Sequence, residues 1–371
     1  MPFIHAIGTA VPSNQLSQQQ IATFMAEVLQ CDETERRKLY ALYRSTRIET
    51  RHSVLADYGK SVGEFSFLPN TPTLEPFPSI SARMALYRTH ALPLVLEAIR
   101  NCQQQAPHLD LTQLTHVITV SCTGMYAPGL DIELIEHLGL RSDTQRTAIN
   151  FMGCYGAFNG LKVADAICKA YPSSKVLLVC VELCTIHFQK KTSDDHLLAN
   201  SLFADGAAVV WLESQPSEGY SLALRSFYCD LFPEGKSEMA WHVADFGFEM
   251  VLSSYVPQLV RNGIATLVNR LLEQAGVSSS EVGYYGMHPG GKAILEAIEQ
   301  SMGISKHDNR FAYDVLRRYG NMSSCTVLFV LKAIFEQLSV ADKGKKILSC
   351  AFGPGLTLES MLLEVVKIDK L

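Results

Sequence analysis

The stretch N-F-M-G-C-Y-G-A-F-N-G-L, Asn150 to Leu161, places one cysteine, Cys154, at the seam between a short apolar segment and a helix. Ala148, Ile149, Asn150 and Phe151 read as a buried strand, and Leu161, Val163, Ala164, Ala166 and Ile167 carry helical spacing. A thiol at a helix start faces the positive end of the macrodipole and the unbonded N–H groups of the first turn. Both favour a thiolate and predict a pKa below the usual value of about 8.5. Gly153, Gly156 and Ala157 leave space for an acyl group to approach the sulfur. A plain buried core cysteine fits the same segment equally well.

Working outward, strands and helices alternate, which predicts an α/β protein with helix-covered sheets. The order occurs twice. In the first half, strand His116–Val120 leads to a helix D-I-E-L-I-E-H-L, then the Cys154 helix, then the strand V-L-L-V-C-V. In the second, Gly283–Met287 leads to a helix A-I-L-E-A-I-E, then a helix opening at Asn321, then the strand K-I-L-S-C-A. A constant offset of 167 (321 − 154) pairs Cys154 with Asn321 and Ser121 with His288. A duplicated α/β unit would bring equivalent helix starts together near a pseudo-twofold axis. The expected units are residues 1–219, carrying the cysteine, and 220–371, carrying the histidine and asparagine.

Composition bounds the function classes. The 371 residues are 47% hydrophobic, enough for one large or two medium cores, and 32 basic against 37 acidic residues give a net charge of −5. That balance argues against nucleic-acid or membrane-surface binding. The ten cysteines include no C-x-x-C pair, so no zinc or redox dithiol is expected. The longest apolar runs fall far short of the roughly 20 residues of a membrane span. The amino terminus lacks a basic region followed by a long apolar one, and a cytoplasmic protein is expected.

M-H-P-G-G, Met287 to Gly291, puts His288 at a strand end before a tight turn, where α/β sheets hold ligands. A histidine satisfied at a strand end is the plainer account. Y-G-N-M-S-S-C, Tyr319 to Cys325, puts Asn321 after a glycine and before an apolar helix. That is an N-cap position, and beside a cysteine and a histidine the amide could also donate to a developing oxyanion.

With these residues the sequence resembles the type III polyketide synthases, the chalcone and stilbene synthase family. The resemblance rests on G-C at Gly153–Cys154, L-F-A-D-G-A at Leu202–Ala207, H-P-G-G at His288–Gly291, Y-G-N-M-S-S at Tyr319–Ser324 and F-G-P-G-L-T at Phe352–Thr357. It implies a thiolase fold, with duplicated βαβαβ halves in a layered αβαβα arrangement, and a homodimer. It further implies iterative condensation of malonyl-CoA onto an acyl-CoA starter without metal or redox cofactor, ending in a pyrone, resorcinol or related ring. By the same resemblance Cys154 carries the starter and the growing chain, His288 as imidazolium stabilises its thiolate, and His288 and Asn321 assist decarboxylation.

Phe203 matches the family's gatekeeping phenylalanine, and Phe248, in D-F-G-F-E-M, is a second gate by the same resemblance. Read from sequence alone, Phe203 is an ordinary core residue. Cys184 and His187, in E-L-C-T-I-H-F, are taken as pocket lining, and Gly353, Pro354 and Gly355 as part of the site. Arg44, Arg47 and Arg51 would share one side of a helix suited to CoA phosphates, or form a solvated face. Ala351 in place of the usual glycine, and Tyr155 after the nucleophile, depart from the plant pattern. They leave the starter, the number of extensions and the cyclisation open. The alternatives are a β-ketoacyl-acyl-carrier-protein synthase III-like enzyme and a non-catalytic acyl-binding protein.

Overall fold

The computed structural model describes residues 1–368. The first half runs β1 (Phe3–Ala10), β2 (Asn14–Ser17), α1 (Gln18–Val28), α2 (Glu33–Ser45), β3 (Thr50–Ser53), α3 (Ile80–Gln105), β4 (His116–Ser121), α4 (Leu130–His137), β5 (Gln145–Asn150), α5 (Gly156–Ala170), β6 (Lys175–Leu183), α6 (Asp194–Leu202) and β7 (Asp205–Glu213). The second runs β8 (Gly219–Leu231), β9 (Met239–Ala244), β10 (Gly247–Leu252), α7 (Val256–Ala275), β11 (Val282–Met287), α8 (Lys292–Met302), α9 (Arg310–Tyr319), α10 (Thr326–Phe335), β12 (Lys346–Gly353) and β13 (Thr357–Ile368).

Nine strands form one mixed sheet in the order β11-β12-β13-β8-β1-β7-β6-β4-β5. The halves meet where Phe3 and Ile4 of β1 pair with Ala223 and Leu222 of β8. Outward from that seam the two sides match: β1-β7-β6-β4 against β8-β13-β12-β11, each with one antiparallel strand next to a parallel pair. Helices α3 and α7 cover the outer faces, on β1, β6 and β7 and on β8 and β13. Helix α5 touches β4, β6 and β13, and α10 touches β11, β1 and β7, so each central helix packs against strands of both halves. Strands covered on both faces read as continuous apolar runs, as Val176–Val181 does. Phe158, Leu161, Val327 and Leu331 on the central helices are fully buried, each contributing about 1.5–3 kcal/mol of transfer free energy.

Two expectations about the repeat are corrected. The offset is not constant: it is 166 at the strands (282 − 116) and 170 at the central helices (326 − 156). The 3-10 turn at Gly153–Tyr155 therefore matches the turn at Ser323–Cys325, and Asn321 lies just ahead of its turn while Cys154 lies inside its own. Second, β5 is a sheet edge with alternating exposed and half-buried residues rather than a buried strand. The second half has helix α9 in its place.

Candidate active site

Cys154 sits in a tight turn between β5 and α5, with Phe151 at φ 60° and Gly153 at φ 71°. Glycine is needed at 153 both for that left-handed backbone and because a Cβ there would lie 2.3 Å from Pro354 Cδ. The Gly353–Pro354–Gly355 loop thus acts as a floor under the Cys154 turn. Gly353 packs against the Tyr155 ring in the same way, and Gly355 N donates to Met239 O at 3.3 Å.

His288 follows β11, its backbone N–H bonded to Cys350 O at 2.8 Å. Its ring is 1% exposed, and neither ring nitrogen has a partner. Asn321 is held by a backbone ladder to the end of α6: Asn321 N donates to Leu202 O (2.9 Å), and Ala204 N donates to Asn321 O (2.8 Å). Its Oδ1 accepts from Ser323 N at 2.9 Å and faces Cys154 Sγ at 4.0 Å. Nδ2 donates to Gly290 O at 3.2 Å, which leaves one amide hydrogen for a ligand. The capping and oxyanion readings of Asn321 are therefore compatible. Cys154, His288, Asn321 and Phe203 line one small, partly open cavity of about 20 Å³, with Phe352, Ile294 and Met239, Met250 and Leu252 of the β9–β10 hairpin as its other walls.

Burial opposes the expected thiolate–imidazolium pair. Burial pushes the Cys154 thiol up to about 12, against weaker opposing hydrogen bonds from Ser323 and Asn321. Burial likewise pushes His288 down to about 3. A helix terminus supplies at most about 2 kcal/mol, and desolvating a thiolate in an apolar pocket costs more than that. Burial therefore favours the neutral form of each group. Glu182, at the end of β6, is buried and pushed up to about 7 by desolvation. It accepts from Ser324 Oγ (2.5 Å), Cys122 N and Thr123 Oγ1 (both 2.9 Å), tying the β4 end to the α10 turn. A lone glutamate in an apolar strand was the available signal for this residue, and the sequence reading passed over it.

Other expected residues are placed differently. Phe248, Cys184 and His187 line a second cavity, beyond Phe203, and not the one holding Cys154. The Phe248 ring stacks on His187 at 4.3 Å and 9°. His187 Nδ1 accepts from Phe248 N (2.9 Å), so Nε2 carries the proton and donates to Thr123 O (2.7 Å). Phe203 does stand at the boundary, lining both cavities. The three arginines do not share a helix face. Arg44 is in the last turn of α2, Arg47 lies past its end at φ 62°, and Arg51 is on β3. Arg51 is buried and donates from Nη1 to Phe203 O (2.7 Å) and Asn200 O (2.9 Å), so it cannot meet a phosphate at the surface.

Burial of titratable groups sets a pH signature. His187 and His288 are both held near 3, so below about pH 6.5 the unfolded chain binds protons the folded one refuses, and stability falls. Glu182 at about 7 and Asp205 at about 6 act oppositely, binding protons when folded between their raised values and about 4. The acids offset only part of the loss, because burial lowers His5, His52, His90, His116 and His196 as well. Once both acids are protonated in either state the opposing term is gone and the histidines act alone, at about 1.4 kcal/mol per pH unit for each fully refused proton. Urea denaturation is expected to show stability falling from about pH 6.5 and falling more steeply below about 4.5.

Comparison with known proteins adds the family. The model for the N-terminal domain of chalcone and stilbene synthases matches residues 2–216, and that for the C-terminal domain matches residues 223–367. The chain belongs to the chalcone and stilbene synthase family. It is 30% identical over 368 residues to the alpha-pyrone synthesis polyketide synthase-like Pks18 of Mycobacterium tuberculosis, covering 98% of this chain and 91% of that one. It is 29% identical to type III polyketide synthase A of Arabidopsis thaliana, covering 96% and 91%. Among solved structures, the C-terminal type III polyketide synthase domain of Steely1 from Dictyostelium superposes with a TM-score of 0.89 at 29% identity, covering 98% and 99%. The 1,3,6,8-tetrahydroxynaphthalene synthase of Streptomyces coelicolor A3(2) gives 0.87 at 26%, covering 99% and 100%.

This family member is accordingly a type III polyketide synthase, a carbon–carbon bond-forming acyltransferase of the thiolase fold. Malonyl-CoA and acyl-CoA thioesters are the substrates its family implies. The matches give no support to the carrier-protein-dependent or non-catalytic alternatives. Among the described residues, no helix is long and apolar enough to cross a membrane.

Proposed function

We propose that Cys154, His288 and Asn321 perform iterative decarboxylative condensation of malonyl-CoA onto an acyl group held as a thioester on Cys154. The observation that carries this is one small cavity that brings these three residues together from separate turns, with both His288 nitrogens free. A neutral imidazole suits the loading step: one nitrogen takes the Sγ proton as sulfur attacks the starter thioester, and CoA leaves as its thiol. In the next step malonyl-CoA loses carbon dioxide and the electron pair of the broken bond becomes an enolate. His288 N–H and the free Asn321 amide hydrogen hold its oxygen. The enolate carbon attacks the Cys154 thioester, the chain gains two carbons, and the thiolate is released to be reloaded. Phe203, apolar at the boundary, disfavours the malonyl carboxylate over carbon dioxide. None of these steps exchanges electrons with an outside partner, so no redox cofactor is required, and in this reading the His288 and Asn321 donors, rather than a metal, hold the enolate oxygen.

Of the expected arginines the entrance reading keeps Arg47, which lines an open cleft of about 800 Å³ with Lys292, Lys306 and Arg310; Arg317, also there, is paired with Glu49 and Asp314. A second cleft of about 310 Å³ past Thr46, Lys292 and Gly290 links the first to the catalytic cavity, with which it shares Gly290, Ile294 and Leu252. Exchanging Arg310 for glutamate is expected to raise KM for malonyl-CoA several-fold, in keeping with about 1 kcal/mol for an exposed charge contact. The effect should shrink as salt is added, with kcat little changed.

A homodimer belongs to the same reading. Strand β5 ends the sheet with an exposed edge, and Met125 and Met152 are 50% and 36% exposed. Pairing with a second copy would cover that edge. Light scattering at micromolar concentration should give twice the chain mass of 41.0 kDa; a monomer mass would contradict it. Ten cysteines suit a reducing compartment such as the cytoplasm, and the acidic balance of the chain suits neither nucleic acid nor a membrane surface. The test of function is mass analysis of products from malonyl-CoA with short, long and aromatic acyl-CoA starters. Polyketides closed to pyrones, resorcinols or related rings are expected, and silence with every starter would refute the reading.

A further inference from the structure

The cavity beyond Phe203 contains groups that the condensation does not use. It measures about 50 Å³, and because one water occupies roughly 10–15 Å³ on this scale, it has room for about four small groups. Ile21, Met25 and Phe188 give it apolar walls, yet Arg51 and His196 also line it. Arg51 is 4% exposed. Its Nε donates to Gln18 Oε1 (2.9 Å) and its Nη1 to Asn200 O and Phe203 O, but Nη2 is buried with no partner. His196 Nε2 is buried and unpartnered as well. Ser193 Oγ lies 2.7 Å from His196 Nδ1, and when that hydroxyl donates, the ring proton sits on Nε2.

Asp205, the buried carboxylate whose field reaches Arg51, does not answer this need. Its oxygens accept from Val54 N (2.8 Å), Thr185 N (2.8 Å) and Thr185 Oγ1 (2.6 Å). A buried guanidinium N–H without an acceptor calls for an explanation. Arg83 Nη2 is a second such group, and the Arg51 guanidinium also lies 5.7 Å from the centre of the Tyr43 ring; what sets Arg51 apart is that it lines a cavity, where a ligand oxygen could accept from it. Phe203 and Met250 line both this cavity and the one holding Cys154, so these two side chains are the partition that the far end of an acyl chain on sulfur would pass.

We propose that this cavity is a subsite for the far end of the starter and that it takes a carboxylate, making ω-carboxyacyl-CoA thioesters the preferred starter class. Arg51 Nη2 donates to one carboxylate oxygen and His196 Nε2 to the other. The small volume admits the carboxylate and one adjacent methylene, and the apolar walls hold the chain behind them. The inference rests on the condensing reading above.

The experiment compares kcat/KM for matched starters with malonyl-CoA: glutaryl against valeryl, adipyl against hexanoyl, and suberyl against octanoyl thioesters of CoA. The expected result is a preference of at least tenfold for the carboxylated member of one pair, falling to within twofold in Arg51→Met and in His196→Leu. His196 makes no bond to the Phe203 backbone, so its variant keeps the test sharp should Arg51→Met fail to fold. Preference for the alkyl member in every pair, with extension intact, overturns the subsite and leaves the synthase standing. No extension from any starter and no carbon dioxide from malonyl-CoA would overturn the synthase reading instead. Calorimetry with free glutarate, adipate and suberate then decides the subsite: binding lost in His196→Leu supports it, and no binding to the unaltered protein overturns it.

Discussion

Cys154→Ala is expected to end polyketide formation, with the rate falling by a factor on the order of 10⁴ or more, while malonyl-CoA still releases carbon dioxide. The two activities separate because only one needs a bond to sulfur. Chain growth requires the acyl group to wait on Cys154 while the enolate forms beside it. Decarboxylation requires only a bound malonyl thioester and the donors that hold its oxygen, and those belong to His288 and Asn321. The variant is expected to fold, since alanine removes one small buried atom from a turn shaped by Gly153 and Pro354. Product mass spectra and trapped carbon dioxide from labelled malonyl-CoA make the measurement. Unchanged product formation would sink the mechanism.

His288→Gln should lower chain formation by about 10²–10⁴, with the loading step hit harder than decarboxylation. Glutamine can still donate to a thioester oxygen but cannot take the Sγ proton from a thiol pushed up to about 12. His288→Ala removes both functions. Asn321→Ala removes one oxyanion donor, worth about 2.7–4 kcal/mol, and also leaves Ser323 N without its acceptor. The pH profile adds an independent check. With His288 held neutral down to about 3, a break in kcat near pH 7 should belong to Glu182, pushed up to about 7 beside the Cys154 turn, and should vanish in Glu182→Gln. A break near about pH 6.5 that persists in that variant would mean that the imidazole titrates as it does in water.

The residues legible in the sequence were those marked by turns. Cys154 lies beside a glycine that must take a left-handed backbone, His288 precedes Pro-Gly-Gly, and Asn321 follows a glycine, so short motifs exposed all three. Phe203 was reachable only through resemblance, because as a sequence it is one more apolar residue. Arg51 was misread for a reason of geometry. The chain reverses at Arg47, and residues that would share a helix face are divided between α2, a turn and β3.

What the sequence marked by itself was the alternation of elements, their repetition, and the turns that carry Cys154, His288 and Asn321, since periodicity and turn chemistry are local properties; the roles of the three came with the family resemblance. Tertiary structure alone decided the burial of the Cys154–His288 pair, the placing of Phe248 and His187 in a second cavity, and the inward turn of Arg51. Each of these depends on how much water surrounding elements exclude, and solvent exclusion is a property of packing between segments that no single stretch of chain contains.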